Sequence, residues 1–400
     1  MTGAERVDVA VIGGGPAGAC LAARLARHGI EVVLVERSPS WRWHAAGVFS
    51  SPAAMGALRR VGVSEQLLTR AARPIPALRL ETPGGATVRL TYGQERGGPP
   101  AVGFDRSALD PALLELARAA GTDVRTGTAV SAVHLGDGHA PALVTLRART
   151  GTTMLHARVV VGADGPQSIV ALEAGVARPA RLASRVGLTH HLADPRVDDE
   201  PVEGRMRILP DGYIGIAPVP GARVNIGIVL GRSWRPRLAR EGATRLAASI
   251  EGAVLATPHD VAPWRGAATC DSIAGASPLG GRVTRRAGPG WFLVGDAAGF
   301  LDPFTGEGIH RALVSTELAA AAAADAAGVY DRAMRRRFAT KDAVTWLVQA
   351  FLARPVLFEY VARRLATRGD VRATMGLVMG DLIPASRALD PRFLAAVLAP

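Results

Sequence analysis

The stretch VDVAVIGGGPAGACLAARLARHGIEVVLVER, residues 7–37, constrains the fold more than any other part of the chain. The apolar run from Val7 to Ile12 predicts a strand. An alanine- and leucine-rich stretch ended by His28-Gly29 predicts a helix, and Glu31 to Val35 predicts a second strand. A strand, a helix and a strand in this order form a βαβ unit, which implies a parallel sheet.

The turn between the first strand and the helix has the pattern G-x-G-x-x-G. Gly13 allows the tight turn, Gly15 lets a pyrophosphate approach the backbone, and Gly18 lets the helix pack close to the strand. The helix start then offers free N–H groups and a positive dipole end to the phosphates. Glu36 lies at the distance where a carboxylate accepts hydrogen bonds from ribose hydroxyls. This unit predicts a dinucleotide, and taken alone it leaves NAD and FAD open.

Two later stretches repeat the theme of a strand running into a glycine-rich turn. Residues 159–170, VVVGADGPQSIV, place Asp164 directly after a strand. Residues 295–313, GDAAGFLDPFTGEGIHRAL, follow the apolar run WFLV, so that Asp296 comes at a strand end and can accept bonds from a chain of hydroxyls. Pro303, Gly306 and Gly308 keep side chains away from a flat ring, and the helix starting near Gly308-Ile309 directs its positive end at that ring.

The three stretches, in this order, resemble the fingerprints of the FAD-dependent aromatic hydroxylase superfamily. The resemblance implies that Asp164 supports the flavin nucleotide, that Asp296 bonds the ribityl chain, and that the isoalloxazine ring lies against the G-E-G backbone. It also implies a contact from Arg106, at the start of a helix over 104–121, and a backbone contact from Val130 to adenine. The alternative for Arg106 is a bond to solvent or to Asp110. The implied cofactor-binding residues are Gly13, Gly15, Ala17, Gly18, Glu36, Ala46, Gly47, Arg106, Val130, Asp164, Asp296, Pro303, Gly306, Gly308 and Ile309.

The motif GDAAGFLDPFTGEGI, residues 295–309, is more similar to the geranylgeranyl reductase-like branch of this superfamily than to the aromatic hydroxylases. Two departures from that branch stand out. Ala46-Gly47 replaces its Cys-Gly pair, and PDGYIGIAP at 210–218 keeps Tyr213 but has Gly215 and Ala217 where the branch has large aromatics. These changes favour a bulkier or differently shaped ligand, whereas an ordinary hairpin with a Pro-Asp-Gly turn explains the stretch equally well.

The resemblance implies hydride transfer from reduced flavin to a carbon–carbon double bond of an isoprenoid-like substrate. The alternative is a monooxygenase that hydroxylates or epoxidises an aromatic or polycyclic substrate, and a third reading is a flavin-binding sensor without turnover. Candidate proton donors are Tyr213, followed by His44 and His310. The His190-His191 pair has no third ligand at metal spacing, so we expect no metal. NAD(P)H or a protein donor would supply the electrons.

The predicted fold class is α/β: a discontinuous Rossmann-like FAD-binding domain, an inserted β-sheet substrate domain and a C-terminal helical region. Hairpins at 76–92 and 205–231 predict the substrate sheet, and apolar residues at helical spacing predict helices after 331, with a break at Pro355. The expected boundaries are 1–75, 101–178 and 276–330 for the FAD-binding domain, 76–100 and 179–275 for the substrate domain, and 331–400 for the helices.

A formal charge of +12 is compatible with nucleic-acid binding, but the kind and distribution of the basic residues argue against such binding. Lys341 is the only lysine, and the arginines are spread along a chain with 5% aromatic residues. We therefore expect no nucleic acid and a small, largely apolar substrate. Two cysteines and the lack of a leader or an 18-residue apolar run favour a cytoplasmic protein. Peripheral membrane contact through a basic amphipathic helix and the oligomeric state stay open.

Overall fold

The computed structural model describes residues 5–137, 139–179, 185–254, 267–322 and 327–398. Its strands are β1 (Glu5–Ile12), β2 (Val32–Glu36), β3 (Phe49–Ser50), β4 (Ala72–Ile75), β5 (Leu78–Glu81), β6 (Thr87–Leu90), β7 (Ala101–Phe104), β8 (Asp123–Thr126), β9 (Ala129–His134), β10 (Ala142–Ala148), β11 (Gly151–Gly162), β12 (Ala177–Arg178), β13 (Val186–Ala193), β14 (Gly204–Leu209), β15 (Gly212–Val219), β16 (Arg223–Leu230), β17 (Ala274–Ala276), β18 (Arg282–Val283), β19 (Ala287–Gly288) and β20 (Trp291–Leu293).

The helices alternate with these strands in the first half of the chain and follow one another at its end. They are α1 (Pro16–Arg27), α2 (Ala53–Val61), α3 (Glu65–Ala71), α4 (Arg106–Ala119), α5 (Ile169–Glu173), α6 (Arg196–Asp199), α7 (Arg235–Val254), α8 (Gly308–Ala321), α9 (Ala327–Leu352), α10 (Pro355–Thr367), α11 (Gly369–Met379) and α12 (Pro391–Leu398). Short 3₁₀ turns at Gly295–Ala298 and Pro303–Thr305 lie between β20 and α8.

The first sheet has the strand order β19-β20-β11-β1-β2-β8, with β9 and β10 attached at β11. The pairs β20–β11, β11–β1, β1–β2 and β2–β8 are all parallel. Its central strands read as continuous apolar runs because helices cover the sheet, and Val32 to Val35 are all buried. The predicted α/β fold class with a Rossmann-like domain is confirmed.

The second sheet has seven strands in the order β17-β13-β16-β15-β14-β5-β6. The hairpin predicted at 76–92 pairs with β14, beside the hairpins predicted at 205–231. Side chains alternate between two faces of this sheet. One face carries Ile214, Ile226 and Leu188, which pack in a single apolar cluster with Leu246 of α7. The opposite face, called the inner face below, carries Thr189, His191, Tyr213, Gly215, Asn225 and Gly227.

The C-terminal helices pack against both sheets. Tyr330 of α9 is fully buried, and its hydroxyl donates to the carbonyl of Leu293 in β20 at 2.6 Å. Phe358 of α10 packs in one cluster with Tyr213 and the β5–β6 hairpin. The structure divides α9 and α10 at the break expected before Pro355.

No helix in the described ranges is both long enough and apolar enough to cross a membrane. Two expected boundaries cut through elements, since β17 crosses 275/276 and α9 crosses 330/331, so the five boundaries stay a proposal.

Candidate functional site

The carboxyl ends of the central parallel strands meet at one edge of the first sheet. The strand β1 leads into Gly13, β11 into Asp164, β20 into Asp296, and β2 ends at Glu36. The strand β1 pairs with β2, which follows it in the chain, on one side, and with β11, which is followed by β20, on the other, so the strand order reverses between β1 and β11. Open α/β sheets bind ligands at this kind of switch point.

The first glycine-rich loop has the geometry that its sequence predicts. Gly13 has φ of +105°, and a Cβ there would collide with the backbone of Ala163. A Cβ at Gly18 would collide with the carbonyl oxygen of Gly13. At Gly15 a Cβ would meet nothing within 4 Å, and α1 starts at the next residue without a side-chain cap and without an acidic residue in its first turn. The helix start therefore keeps its N–H groups and positive end available to an anion.

Glu36 lies beside this loop at the end of β2. Its carboxylate accepts hydrogen bonds from the backbone N–H groups of Gly14 and Ser38, each at 2.8 Å. The backbone N–H of Thr128 donates to the Glu36 carbonyl at 3.0 Å, which brings β9 and Val130 to the same corner. The carboxylate is thus held in place and retains lone pairs for two further donors.

Two half-buried aspartates at the strand ends have fewer hydrogen-bond partners than their oxygens can accept. Asp164 accepts from the N–H of Ile169 at 2.8 Å through Oδ2, but its buried Oδ1 has no hydrogen-bond partner. Asp296 accepts no side-chain hydrogen bond from any described residue. Burial raises the pKa of Asp296 to about 6, against the opposing charges of Arg106 and Arg311. Burial also raises the pKa of Asp164. Both groups are suited to receive hydrogen bonds from a ligand.

Arg106 connects this edge to the loop after β2. Its guanidinium forms two hydrogen bonds of 2.7 Å with Asp110 and a third, of 2.8 Å, to the carbonyl of Gly47. Arg106 therefore binds Asp110, the alternative partner expected from the sequence. It also binds the Ala46-Gly47 segment. A Cβ at Gly47 would meet nothing within 4 Å.

The 303–308 segment faces this region from the side of α8. A Cβ at Gly308 would meet nothing within 4 Å, whereas Ile309 is buried behind it. Gly306 has a different reason to be glycine from the one expected. Its φ is +65° and a Cβ there would collide with the ring of Phe49, so packing within the protein requires it. Pro303 starts the 3₁₀ turn that delivers Gly306.

The three candidate proton donors lie in very different places. The hydroxyl of Tyr213 donates to Asp302 at 2.7 Å, and burial together with that carboxylate raises the pKa of Tyr213 well above its ordinary value. Such a phenol holds its proton tightly and anchors the Asp302 loop to the inner face. His44 is exposed and contacts the carbonyl of Arg42. His310 is buried, with Nδ1 3.2 Å from Asp381.

Sequence reasoning missed a histidine on the inner face. His191 Nδ1 lies 2.7 Å from Asp271 Oδ2. The centre of the His191 ring lies 4.5 Å from the ring centre of Trp43, and Trp43 belongs to the loop that leads to Ala46-Gly47. Burial lowers the pKa of His191 despite the aspartate, so the ring favours its neutral form. His190 points the other way, toward Glu251 of α7. The alternation of a strand separates the two histidines, and Asp271 is far along the chain, so the pair itself gave no signal.

The comparisons with known proteins identify the family. A family model described as an FAD binding domain matches residues 6–320. The chain belongs to this family of FAD-dependent oxidoreductases. Digeranylgeranylglycerophospholipid reductase 2 of Methanothermobacter thermautotrophicus is 31% identical over 331 residues, which cover 80% of this chain and 78% of the relative. The menaquinone reductase of Mycolicibacterium smegmatis is 29% identical over 94% of this chain and 92% of the relative. A flavoprotein/dehydrogenase structure from Cytophaga hutchinsonii shares the fold, with a TM-score of 0.80 and 19% identity over 94% and 93% of the two chains. The expected resemblance to the geranylgeranyl reductase-like branch is confirmed.

The residues present fit FAD. The unpartnered oxygen of Asp164, the unpaired carboxylate of Asp296 and the open positions at Gly15, Gly47 and Gly308 all lie on elements that meet at the same edge of the sheet. The start of α1 would hold the pyrophosphate, Glu36 the adenosine ribose and Asp296 the ribityl hydroxyls.

Proposed function

We propose that the protein reduces carbon–carbon double bonds in the isoprenoid chain of a lipid. The observation that carries this proposal is the match to two enzymes named as reductases of isoprenoid-bearing molecules, one of them over 94% of this chain. When bound, FAD supplies the hydride, and NAD(P)H or an electron-transfer protein restores it. The part of the chain is to hold the cofactor, shield it and present the substrate.

The inner face of the second sheet forms the substrate side of the site. Trp43 donates to the carbonyl of Thr189 at 3.4 Å, and Tyr213 binds Asp302. These two contacts join the sheet to both flavin-side loops. Between them, Gly215 and Gly227 are cross-strand partners, and a Cβ on either would make only ordinary contacts of 3.7–4.0 Å. The absence of side chains there leaves room for an apolar chain or ring beside the cofactor.

The reduction is tested with protein that has been loaded with FAD, reduced anaerobically and mixed with menaquinone or an unsaturated archaeal-type ether lipid. We expect products that remain heavier by two mass units for each double bond reduced after air has reoxidised any quinol to the quinone. Loaded, reducible protein that leaves both lipids unchanged would overturn the proposal. Comparing NADH, NADPH and a reduced ferredoxin as donors then identifies the reductant.

A monooxygenase is the second candidate, and one observation favours it. Asp271 orients neutral His191 on the inner face, and a neutral imidazole suits removal of a proton from a phenol better than donation of one. The same assay in air separates the two candidates. Hydroxylation adds sixteen mass units, and with an aromatic substrate it would depend on His191.

We also propose that the C-terminal helices rest on an anionic membrane. Val356 is 86% exposed, Leu398 is 44% exposed, and Tyr360 lies beside them with its hydroxyl bonded to the Leu398 carbonyl. Exposed Arg354 and Arg363 flank this apolar patch. Apolar side chains with a basic rim favour the surface of anionic lipid.

Vesicle sedimentation tests this contact. We expect binding to vesicles of phosphatidylglycerol and phosphatidylcholine, loss of binding in Val356→Asp, and retention in Leu172→Asp, which alters a 64% exposed leucine on α5. Equal binding by both variants, or none by the wild type, contradicts the proposal.

A further inference from the structure

A cluster of buried charges joins the C-terminal helices to the 303–308 segment. Its centre is Lys341 of α9, the only lysine in the chain, whose side chain is 5% exposed. Lys341 Nζ lies 2.7 Å from Asp381 and donates to the carbonyl of Val378 at 2.9 Å. The same nitrogen lies 3.8 Å from Glu307 Oε2. One ammonium group is therefore shared between a carboxylate at the end of α11 and the middle residue of G-E-G.

Glu307 precedes the first residue of α8, but its side chain does not cap the helix. Its carboxylate lies 3.7 Å from Arg311 and 3.8 Å from Lys341, which are ion-pair distances rather than hydrogen-bond distances. Burial raises the pKa of Glu307, the two cations oppose this, and Asp381 and Asp342 reinforce it. The carboxylate thus depends on cations that it shares with other acids.

The remaining contacts of the cluster join Asp381 to the loop that contains Gly306. Asp381 also accepts from the Ser51 hydroxyl at 2.8 Å and lies 3.2 Å from His310 Nδ1. Backbone N–H of Ser51 donates to the carbonyl of Gly306 at 3.0 Å. Lys341, Asp381 and Ser51 therefore form a continuous path of contacts from α9 to the bare backbone between Gly306 and Gly308.

We propose that Lys341 is a positioning residue for the flavin, and that Lys341 and Glu307 together set the electrostatic potential at the G-E-G segment, Gly306 to Gly308. A negative charge develops on flavin when it is reduced, so nearby fixed charges shift the reduction equilibrium. Lys341 favours the reduced form and Glu307 opposes it. The C-terminal helices, which the family model does not match beyond residue 320, are on this account part of the cofactor site.

This inference requires FAD binding but not the proposed isoprenoid substrate. The test is the midpoint potential of the bound flavin, measured by anaerobic dye equilibration in wild type, Lys341→Met, Glu307→Gln and the double variant. We expect a more negative potential in Lys341→Met, a more positive one in Glu307→Gln, and a value near wild type in the double variant. We also expect FAD affinity to fall at least tenfold in Lys341→Met.

Arg335→Met is the matched control, because it removes a cation from the same helix. Arg335 is 58% exposed and pairs with Asp331, away from the G-E-G segment. We expect its potential to equal that of the wild type. A purely structural role predicts weaker binding without shifts of opposite sign, so equal or absent shifts in the two single variants overturn the proposal. If Lys341→Met does not fold, the absence of a positive shift in Glu307→Gln is sufficient to overturn it. Wild type that binds FAD but reduces no isoprenoid contradicts only the proposed substrate.

Discussion

Asp296 gives the most direct test of the proposed cofactor contacts, through the dependence of stability on pH. Burial raises its pKa from 3.8 to about 6 in the cofactor-free protein. Between these two values the folded state holds a proton that the unfolded state releases, so stability falls as pH rises through this window. A displacement of about two pH units corresponds to at most ~3 kcal/mol, and water that reaches the open part of the side chain lowers this figure.

Asp296→Asn removes this penalty because the amide carries no charge. At pH 7 we expect the cofactor-free variant to be more stable than the wild type by up to about 3 kcal/mol, with the difference vanishing below about pH 4. For FAD affinity we expect the opposite order, with the wild type binding more tightly than Asp296→Asn. A hydrogen bond to a carboxylate contributes about 1.5–3 kcal/mol and one to a neutral amide about 0.5–1.5 kcal/mol, so the variant should bind FAD roughly five- to tenfold more weakly for each hydroxyl donor.

Urea unfolding of the cofactor-free proteins from pH 4 to 8, together with FAD titrations, measures both effects. Asp199→Asn, at an exposed aspartate of α6, is the control and should leave both curves in place. A cofactor-free Asp296→Asn protein that is less stable than the wild type at pH 7 would falsify the claim that this carboxylate waits for donors. A stability difference that does not change with pH would refute the assignment equally well.

Five further substitutions test the site. Gly15→Val should abolish FAD binding without lowering the stability of the cofactor-free protein, because its side chain enters open space, whereas Gly13→Ala should destabilise the fold by colliding with Ala163; calorimetry distinguishes the two. Tyr213→Phe should cost about 2 kcal/mol of unfolding free energy by removing the bond to Asp302, with FAD content and turnover largely retained; a hundredfold loss of turnover in loaded protein would restore Tyr213 as a proton donor. Gly215→Val should weaken lipid binding at least tenfold while leaving the melting temperature unchanged or higher, and Gly275→Val on the other face of the sheet should leave lipid binding intact.

Local patterns explain why the glycine-rich loops at the carboxyl edge of the first sheet could be predicted from the sequence. Each fingerprint combines a strand, a glycine whose backbone geometry is special and a carboxylate at a fixed offset, so Gly13, Glu36 and Asp296 could be assigned from neighbours within the chain. Parallel strands then bring their carboxyl ends together without further information. Gly306 shows the limit of this reasoning. The sequence indicates that glycine is needed there, but only the structure shows that Phe49 is the reason.

The contacts on the inner face could not be predicted from the sequence, because these side chains meet across the fold. The hydroxyl of Tyr213 donates to Asp302, a partner 89 residues away that the sequence around Tyr213 does not indicate. His191 acquires its orientation from Asp271, 80 residues later, and its setting from Trp43. No periodicity or spacing reports contacts of this kind, since they depend on how two sheets and the loops between them pack.

The distribution of charge along the proposed cofactor site matches the polarity of FAD from end to end. The start of α1 has no acidic residue in its first turn, so the pyrophosphate would meet the N–H donors of the helix start. Asp296 and Glu307, by contrast, lie where hydroxyls and the flavin ring would be, and an anion placed there would meet buried carboxylates. Arg106, Arg311 and Lys341 moderate this acidity, yet each is shared with another acid. If FAD binds as we propose, this difference in electrostatics would favour one direction of binding, with the phosphates at the start of α1 and the ring on the side of Trp43 and the inner face.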